Sequence, residues 1–170
     1  MKTVLLILFL TCGCLTQRIP IVPKAVVGEL LDVNAAERLL ENRLKIGRNF
    51  IFSVDNRYST CEEDWVIQEF LPAFKEFRSG LTANKFKSEA RDCDDYVLMA
   101  RVYARAMYSR NHVGSTLLFG EFYYSLDKGG KHVTNFFVTK ERKIVFFSPQ
   151  LDVIETLSET ETKSCYRVIF

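Results

Sequence analysis

The stretch DCDDYVLMARVYARAMY, residues 92–108, carries the strongest structural signal in the sequence. Its Ala, Leu, Met and Val residues are typical of a helix, and Asp92 is a good N-cap because its carboxylate can accept a backbone N–H of the first turn. Cys93 therefore lies at a helix start, where free N–H groups and the helix dipole favour the reactive thiolate. Asp94 and Asp95 oppose this effect, since their charges disfavour a neighbouring anion.

The sequence around this helix predicts an α+β fold, with helices first and an antiparallel sheet after them. Apolar residues recur at helical spacing over residues 35–44, with Asn34 as the expected N-cap, and residues 60–63 have the pattern of a capping box. Alternating and apolar β patterns follow Gly114. The strands are expected at residues 117–124, 132–138, 144–147 and 166–170.

The first residues have the features of a secretion signal. Lys2 precedes an apolar run over residues 4–10, and small residues follow it. We therefore expect a signal peptide over residues 1–16 and one domain over residues 17–170, secreted and without a membrane span. A lipid anchor at Cys14 is the less favoured alternative. The net charge of +2, without a Lys/Arg run, argues against a nucleic-acid partner.

Removal of a signal peptide would leave three cysteines in the mature chain. An odd number in an oxidising compartment leaves one thiol unpaired. The economical pairing is a Cys61–Cys165 disulfide, with Cys93 free. The alternatives are a different pair or three reduced cysteines.

His132 is the expected partner of Cys93, because it begins a strand of the following sheet. A helix-start Cys facing a strand His suits nucleophilic catalysis, in which the imidazole accepts the thiol proton. His112 is the alternative base, although it lies in the loop after the Cys93 helix. Asn135 should point to the opposite face of the strand from His132.

A third residue would have to orient the imidazole. Ser148, Gln150 and Asp152 follow the strand at residues 144–147 and could return to the edge where His132 lies. Each is a weak signal, since polar residues are common at strand ends. Gln68 is a conceivable oxyanion-hole donor in addition to the Cys93 backbone N–H.

Three short motifs, residues 92–96, 132–138 and 148–150, together resemble the papain-like cysteine peptidase domains found at the C-terminus of the fairy-ring mushroom agglutinin and in related stand-alone, transglutaminase-like proteins. The resemblance implies a papain-like α+β fold with the nucleophile helix packed on the sheet. It implies Cys93 as nucleophile and His132 as base. The family has an acidic residue where this chain has Ser148, so the resemblance assigns Ser148 to the third position without the usual charge.

The resemblance also implies calcium dependence, with Asp94, Asp95 and Gln150 at the metal-binding positions. Hard oxygen ligands suit this cation. The function expected from the sequence is a secreted cysteine peptidase that transfers acyl groups of a protein or peptide substrate to water. The alternatives are a transglutaminase-like or cell-wall endopeptidase activity on the same scaffold, or a non-catalytic calcium-binding module.

Overall fold

The computed structural model describes residues 27–80, 92–109 and 114–170. In these ranges the helices are α1 Val33–Leu44, α2 Glu63–Trp65, α3 Leu71–Gly80, α4 Cys93–Ser109 and α5 Glu159–Lys163, with a 3-10 turn at Arg48–Phe50 and a π-helical turn at Val66–Phe70 between α2 and α3. The strands are β1 Val27–Asp32, β2 Ile51–Phe52, β3 Arg57–Cys61, β4 Thr116–Leu117, β5 Phe119–Ser125, β6 Lys131–Val138, β7 Ile144–Ser148, β8 Val153–Glu155 and β9 Arg167–Ile169.

The strands form a large and a small sheet. The large sheet has the order β2-β9-β5-β6-β7-β8, and its neighbours are antiparallel except for the parallel pair β2 and β9. The small sheet has the order β1-β3-β4. The fold is therefore mixed α+β as expected, but its sheets are not purely antiparallel.

Each face of the large sheet has its own apolar core. On one face α3 and α4 pack over Phe119, Phe137 and Phe147, which are almost completely buried. On the other face α1 and the small sheet pack over Phe122 and Phe136. This division follows from the alternation of side chains along β5 and β6, which sends successive residues to opposite faces.

Two expected helix starts are wrong. Asp32, not Asn34, caps α1, since its side chain accepts the backbone N–H of Ala35 at 2.8 Å. Thr60 lies in β3, where its hydroxyl oxygen accepts the Glu29 N–H at 2.9 Å, so no capping box forms there. The strand pairing of residues 57–61 with β1 overrides the local capping pattern.

None of the helices in the described ranges has the length and apolar character of a bilayer-spanning segment. The expected signal peptide, residues 1–16, and the lipid-anchor position Cys14 lie outside the described residues. So does His112. Secretion therefore stays a prediction.

The expected disulfide between Cys61 and Cys165 is wrong. All three cysteines in the described ranges are free thiols. Cys61 is buried in the core under α3 and α4, whereas Cys165 is buried in the core on the opposite face of the sheet. A bridge cannot form through the sheet, because two cysteines must approach within about 7 Å between their Cα atoms.

Candidate functional site

Cys93 begins α4 and lies against the start of β6. The backbone N–H of Val133 donates a hydrogen bond to the Cys93 sulfur, as does the N–H of Cys93 itself. Burial nevertheless raises the pKa of the Cys93 thiol above its usual 9.0, and the charges of Asp94 and Asp92 raise it further. The helix start therefore does not produce a stabilised thiolate, and at neutral pH the group is a thiol.

Val133 of β6 lies at Cys93, and His132 immediately precedes it, so the pairing of Cys93 with His132 stays a prediction. The His132 ring packs edge-on against its cross-strand neighbour Tyr124, with 5.6 Å between ring centroids. Within the described part of the chain, the imidazole makes no hydrogen bond or ion pair with a carboxylate. No side chain therefore orients the imidazole for catalysis among these residues.

Ser148, the expected third residue, is buried and ends β7. Its hydroxyl oxygen accepts the backbone N–H of Leu151 at 3.2 Å, which stabilises the turn that follows. Asn135 points away from His132, as expected. Its amide nitrogen donates to the carbonyls of Val97 and Gly120.

Asp152, the alternative orienting carboxylate, is bound elsewhere. It forms ion pairs with Arg78 at 2.7 Å and Lys75 at 3.6 Å, both on α3. Arg78 also donates to the carbonyl of Gln150 at 3.0 Å, so this arginine fixes the turn after β7. The interaction is structural and keeps Asp152 at α3.

A carboxylate that the sequence did not single out lies on the His132 face of the sheet. The hydroxyl of Thr134 lies between the Glu155 carboxylate and the Phe147 carbonyl. Burial raises the pKa of Tyr124, and the charge of Glu155 raises it further, so Glu155 is close to this tyrosine. Only the pairing of β8 with β7, which the sequence does not reveal, brings Glu155 to this face.

The predicted calcium ligands Asp94 and Asp95 lie in the first turn of α4. The Asp92 and Asp94 side chains share a hydrogen bond, which raises the pKa of Asp94 together with burial. In residues 27–80, 92–109 and 114–170, no group of three or more His, Cys, Asp or Glu side chains could hold a metal ion. Amide and carbonyl oxygens, such as those of Gln150, are not among these side chains, so calcium binding by Asp94, Asp95 and Gln150 stays a prediction.

An exposed group of rings and cations lies beside Cys93. Lys131 Nζ is 5.3 Å from the ring centre of Tyr166, and the Tyr166 and Tyr123 rings are 6.2 Å apart. The Arg167 guanidinium lies over both Tyr123, at 5.4 Å, and Phe52, at 5.9 Å. We call these five residues the aromatic–cation surface.

Among the described residues, no helix packs on the part of the sheet that bears the aromatic–cation surface. Helix α4 packs mainly on β6 and β5, which leaves the neighbouring strands β9 and β2 exposed on the same face. Tyr123 and Arg167 are register partners, and Phe52 follows on β2 with half of its surface exposed. The pKa of Tyr166 is raised by burial and by Cys93 when its thiol is ionised, so the surface and the thiol adjoin.

Tyr123 is held in place by the buried ion pair between Arg101 of α4 and Glu121 of β5. Its hydroxyl donates to Glu121 at 2.7 Å, and Arg101 Nε of α4 lies 2.9 Å from the other carboxylate oxygen. Burial raises the pKa of Tyr123 strongly, and the hydrogen bond to Glu121 adds to this. The ring is therefore held in a defined position.

The thiol state of Cys93 gives a direct prediction. Iodoacetamide should alkylate Cys93 slowly at pH 7, and the rate constant should rise about tenfold per pH unit to beyond pH 9, because only the thiolate reacts. Mass spectrometry of the labelled chain would measure this rate, with Cys93→Ser as the unlabelled control. A rate that is constant between pH 6 and pH 8 would contradict the raised pKa.

Part of this chain is similar to agglutinins. Residues 74–153, less than half of the chain, match the family described as Agglutinin C-terminal. No curated protein matches the chain. The segment includes α4, β5, β6 and β7 and therefore the region around Cys93 and His132.

Solved structures show the same fold. A structure described as a PSL1a–E64 complex has a TM-score of 0.66 and 21% identity over 83% of this chain and 51% of that chain. The Polyporus squamosus lectin, bound to the human-type influenza-binding epitope Neu5Acα2-6Galβ1-4GlcNAc, has a TM-score of 0.65 and 20% identity over 83% of this chain and 49% of the lectin. The chain thus corresponds to about half the length of each neighbour.

The prediction of a cysteine peptidase, and of a hydrolase generally, is wrong by these comparisons. The matches are to an agglutinin domain and a lectin, and they favour the non-catalytic alternative.

Proposed function

We propose that this chain is a non-catalytic glycan-binding module on a papain-like scaffold, and that it binds its ligand at the aromatic–cation surface. The observation that carries the proposal is the group of partly buried Tyr123 and Tyr166 with exposed Arg167, Lys131 and Phe52. A ligand that a neighbouring lectin binds cannot simply be assigned to this chain, because the chain has only about half the length of that lectin. The proposal therefore depends on this chain's own side chains.

Aromatic rings and cations are suited to an acidic sugar. The apolar face of a pyranose ring packs on tyrosine or phenylalanine, and tyrosine has a polar end for the sugar hydroxyls. Arg167 and Lys131 carry the positive charge that a sugar carboxylate needs, and arginine can bind a carboxylate through two parallel hydrogen bonds. An acidic oligosaccharide is therefore the ligand class that we propose.

The rigidity of the surface also supports binding. Tyr123 is fixed by Glu121, and Arg167 is stacked between Tyr123 and Phe52. A preformed surface loses little conformational entropy when a ligand binds. The neighbouring thiol is not required for this role.

Calorimetric titration with Neu5Acα2-6Galβ1-4GlcNAc and with the same oligosaccharide lacking the acidic sugar tests the proposal. We expect the acidic form to bind more tightly, and Tyr166→Ala or Arg167→Gln to weaken it about tenfold, because central Tyr and Arg side chains commonly contribute a large share of binding energy. Arg43→Gln, an exposed arginine on α1, is the matched control and should bind as the unchanged protein does.

Two results would overturn the proposal. Equal affinity of the Arg167→Gln and Arg43→Gln variants would remove the aromatic–cation surface from the binding site. Peptide hydrolysis that is lost in the Cys93→Ser variant would show that the module is catalytic. Normal glycan binding by the Cys93→Ser variant would support the proposal.

A further inference from the structure

A polar cleft lies at the end of α4 opposite to Cys93. It has a volume of about 580 Å³ and lies between the last turns of α4, the segment before β3 and the segment before β4. Small-molecule sites commonly have volumes of about 300–1,000 Å³, so the cleft could hold a compact ligand. Asp55, Arg57, Arg105 and Ser115 are the lining residues that bear on its chemistry.

The wall of the cleft contains an ion pair with unused hydrogen-bonding capacity. Arg105 Nη2 lies 2.7 Å from Asp55 Oδ2. The contact does not have the direction of a hydrogen bond, and Arg105 Nε and Nη2 and Asp55 Oδ2 are buried without a hydrogen-bond partner among the described residues. The Arg105 side chain is still 28% exposed, so a ligand in the cleft that supplies acceptors can reach this guanidinium.

The positive charges exceed the negative charge in this cleft. Arg57 is exposed at its rim and forms no ion pair within the described residues, so it adds a second guanidinium to that of Arg105. Asp55 neutralises only one of the two cations. The remaining charge favours an anion over a neutral ligand.

Ser115 lines the cleft, and two buried hydroxyls, those of Ser59 and Tyr108, lie behind it. Ser115 Oγ lies 3.1 Å from the Tyr108 hydroxyl and 3.2 Å from Ser59 Oγ, and the Tyr108 hydroxyl donates to Ser59 Oγ at 2.9 Å. Three hydroxyls in mutual contact can rotate to present a proton to an added acceptor. They therefore complement the two guanidinium groups.

The backbone that carries Asp55 is fixed in place. The Tyr58 hydroxyl accepts the N–H groups of Val54 and Asp55 at 3.1 and 2.7 Å and donates to the carbonyl of Phe170 at 3.3 Å. Tyr58 is completely buried. The cleft wall is thus preformed, which reduces the entropic cost of binding.

We propose that this cleft is an oxyanion-binding site, which takes the carboxylate or phosphate group of a small ligand through Arg57 and Arg105. This inference is independent of the proposed glycan-binding function, because it involves other residues at the other end of α4. Planar guanidinium groups match the geometry of both carboxylate and phosphate oxygens.

Two-dimensional ¹H–¹⁵N NMR titrations at constant ionic strength test this site, with inorganic phosphate and glucuronate as separate probes. We expect at least one probe to shift the amide signals of Ser115 and Thr116 with saturation. A shift with phosphate alone would assign the site to phosphate groups, and a shift with glucuronate would assign it to carboxylates. The absence of saturable shifts with both probes would overturn the proposal.

Paired variants connect the binding to the cleft. Arg57→Gln should weaken binding about tenfold, because a charged hydrogen bond is lost. Arg38→Gln is the matched control, since Arg38 lies in a different cleft on α1. Equal weakening by both variants would mean that the probes respond to overall charge and would overturn the proposal.

The Asp55→Asn variant gives a result of opposite sign. It should strengthen oxyanion binding several-fold, because it removes the repelling carboxylate and frees Arg105 while keeping the side-chain shape. Weaker binding by a variant whose NMR spectrum shows an intact fold would mean that Asp55 accepts hydrogen bonds from the ligand. The site would then bind hydroxyl groups rather than oxyanions, and the proposal would fail.

Discussion

Replacement of Arg101 by methionine should lower the free energy of unfolding by about 3–5 kcal/mol, because it leaves the Glu121 charge buried without its partner. Glu121 is 3% exposed and lies in the layer between α4 and β5. For a domain of this size, each kcal/mol lowers the melting temperature by about 2–4 °C. Urea unfolding followed by far-UV circular dichroism would measure the effect.

The double variant Arg101→Met, Glu121→Met separates the two sources of this loss. Arg101 Nε and Nη1 and Glu121 Oε1 are buried without an aligned hydrogen bond among the described residues, although the ion pair is only 2.9 Å long. Such a pair gives little net stabilisation, so removing both charges should restore most of the stability. A double variant as unstable as Arg101→Met alone would contradict this reasoning.

The same ion pair connects stability with the proposed function. Glu121 accepts the Tyr123 hydroxyl, and Tyr123 supports Arg167 in the aromatic–cation surface. The double variant can regain stability, but it lacks the Glu121 carboxylate that holds the Tyr123 hydroxyl, so Tyr123 is no longer held in its orientation. Glycan affinity should therefore fall in the double variant even where the melting temperature is restored.

The sequence predicts those parts of the fold that follow from local periodicity. The helix that begins at Cys93 and the strands β5, β6 and β7 are confirmed, because their apolar patterns are strong and uninterrupted. In the aromatic-rich segment 65–77, Trp65, Phe70 and Phe74 are buried in the core. Burial of one continuous face is a property that a single segment reveals by itself.

The site was less predictable, because it depends on how distant strands pair. The expected contact between the Cys93 helix and the strand of His132 is present, but the register of β8 places Glu155, not Asp152, on the His132 face. Sequence spacing could not distinguish these two carboxylates. Asp152 is excluded as the residue that orients His132 only by its ion pair with Arg78, which the structure shows.

The aromatic–cation surface could not be found from the sequence for a similar reason. Phe52, Tyr123, Lys131 and Arg167 come from β2, β5, β6 and β9, and in each strand the residue has the ordinary appearance of an aromatic or charged strand position. Their proximity requires β9 to insert between β2 and β5, although β9 is the last strand of the chain. No local pattern predicts such a long-range pairing.

Phe70→Ala should be the most destabilising apolar replacement, with an expected loss of about 3–5 kcal/mol in the free energy of unfolding. Phe70 is completely buried, and its ring is 5.3 Å from Phe119, 5.9 Å from Tyr103 and 6.3 Å from Phe147. It therefore joins α4 and the sheet through one side chain. Urea unfolding curves would measure the loss.

The location of Phe70 explains why the cavity should not collapse. Phe70 ends the π-helical turn Val66–Phe70, two residues before Pro72 in the first turn of α3. Pro72 has no backbone N–H, so it cannot make the hydrogen bond that an uninterrupted α-helix requires at this position. The wider turn is therefore fixed and cannot shift to fill the space. Ile67→Ala in the same turn is the matched control, because Ile67 is 39% exposed and should lose less than about 1 kcal/mol. Similar losses for the two variants would show that the turn itself, rather than the buried ring, stabilises this junction.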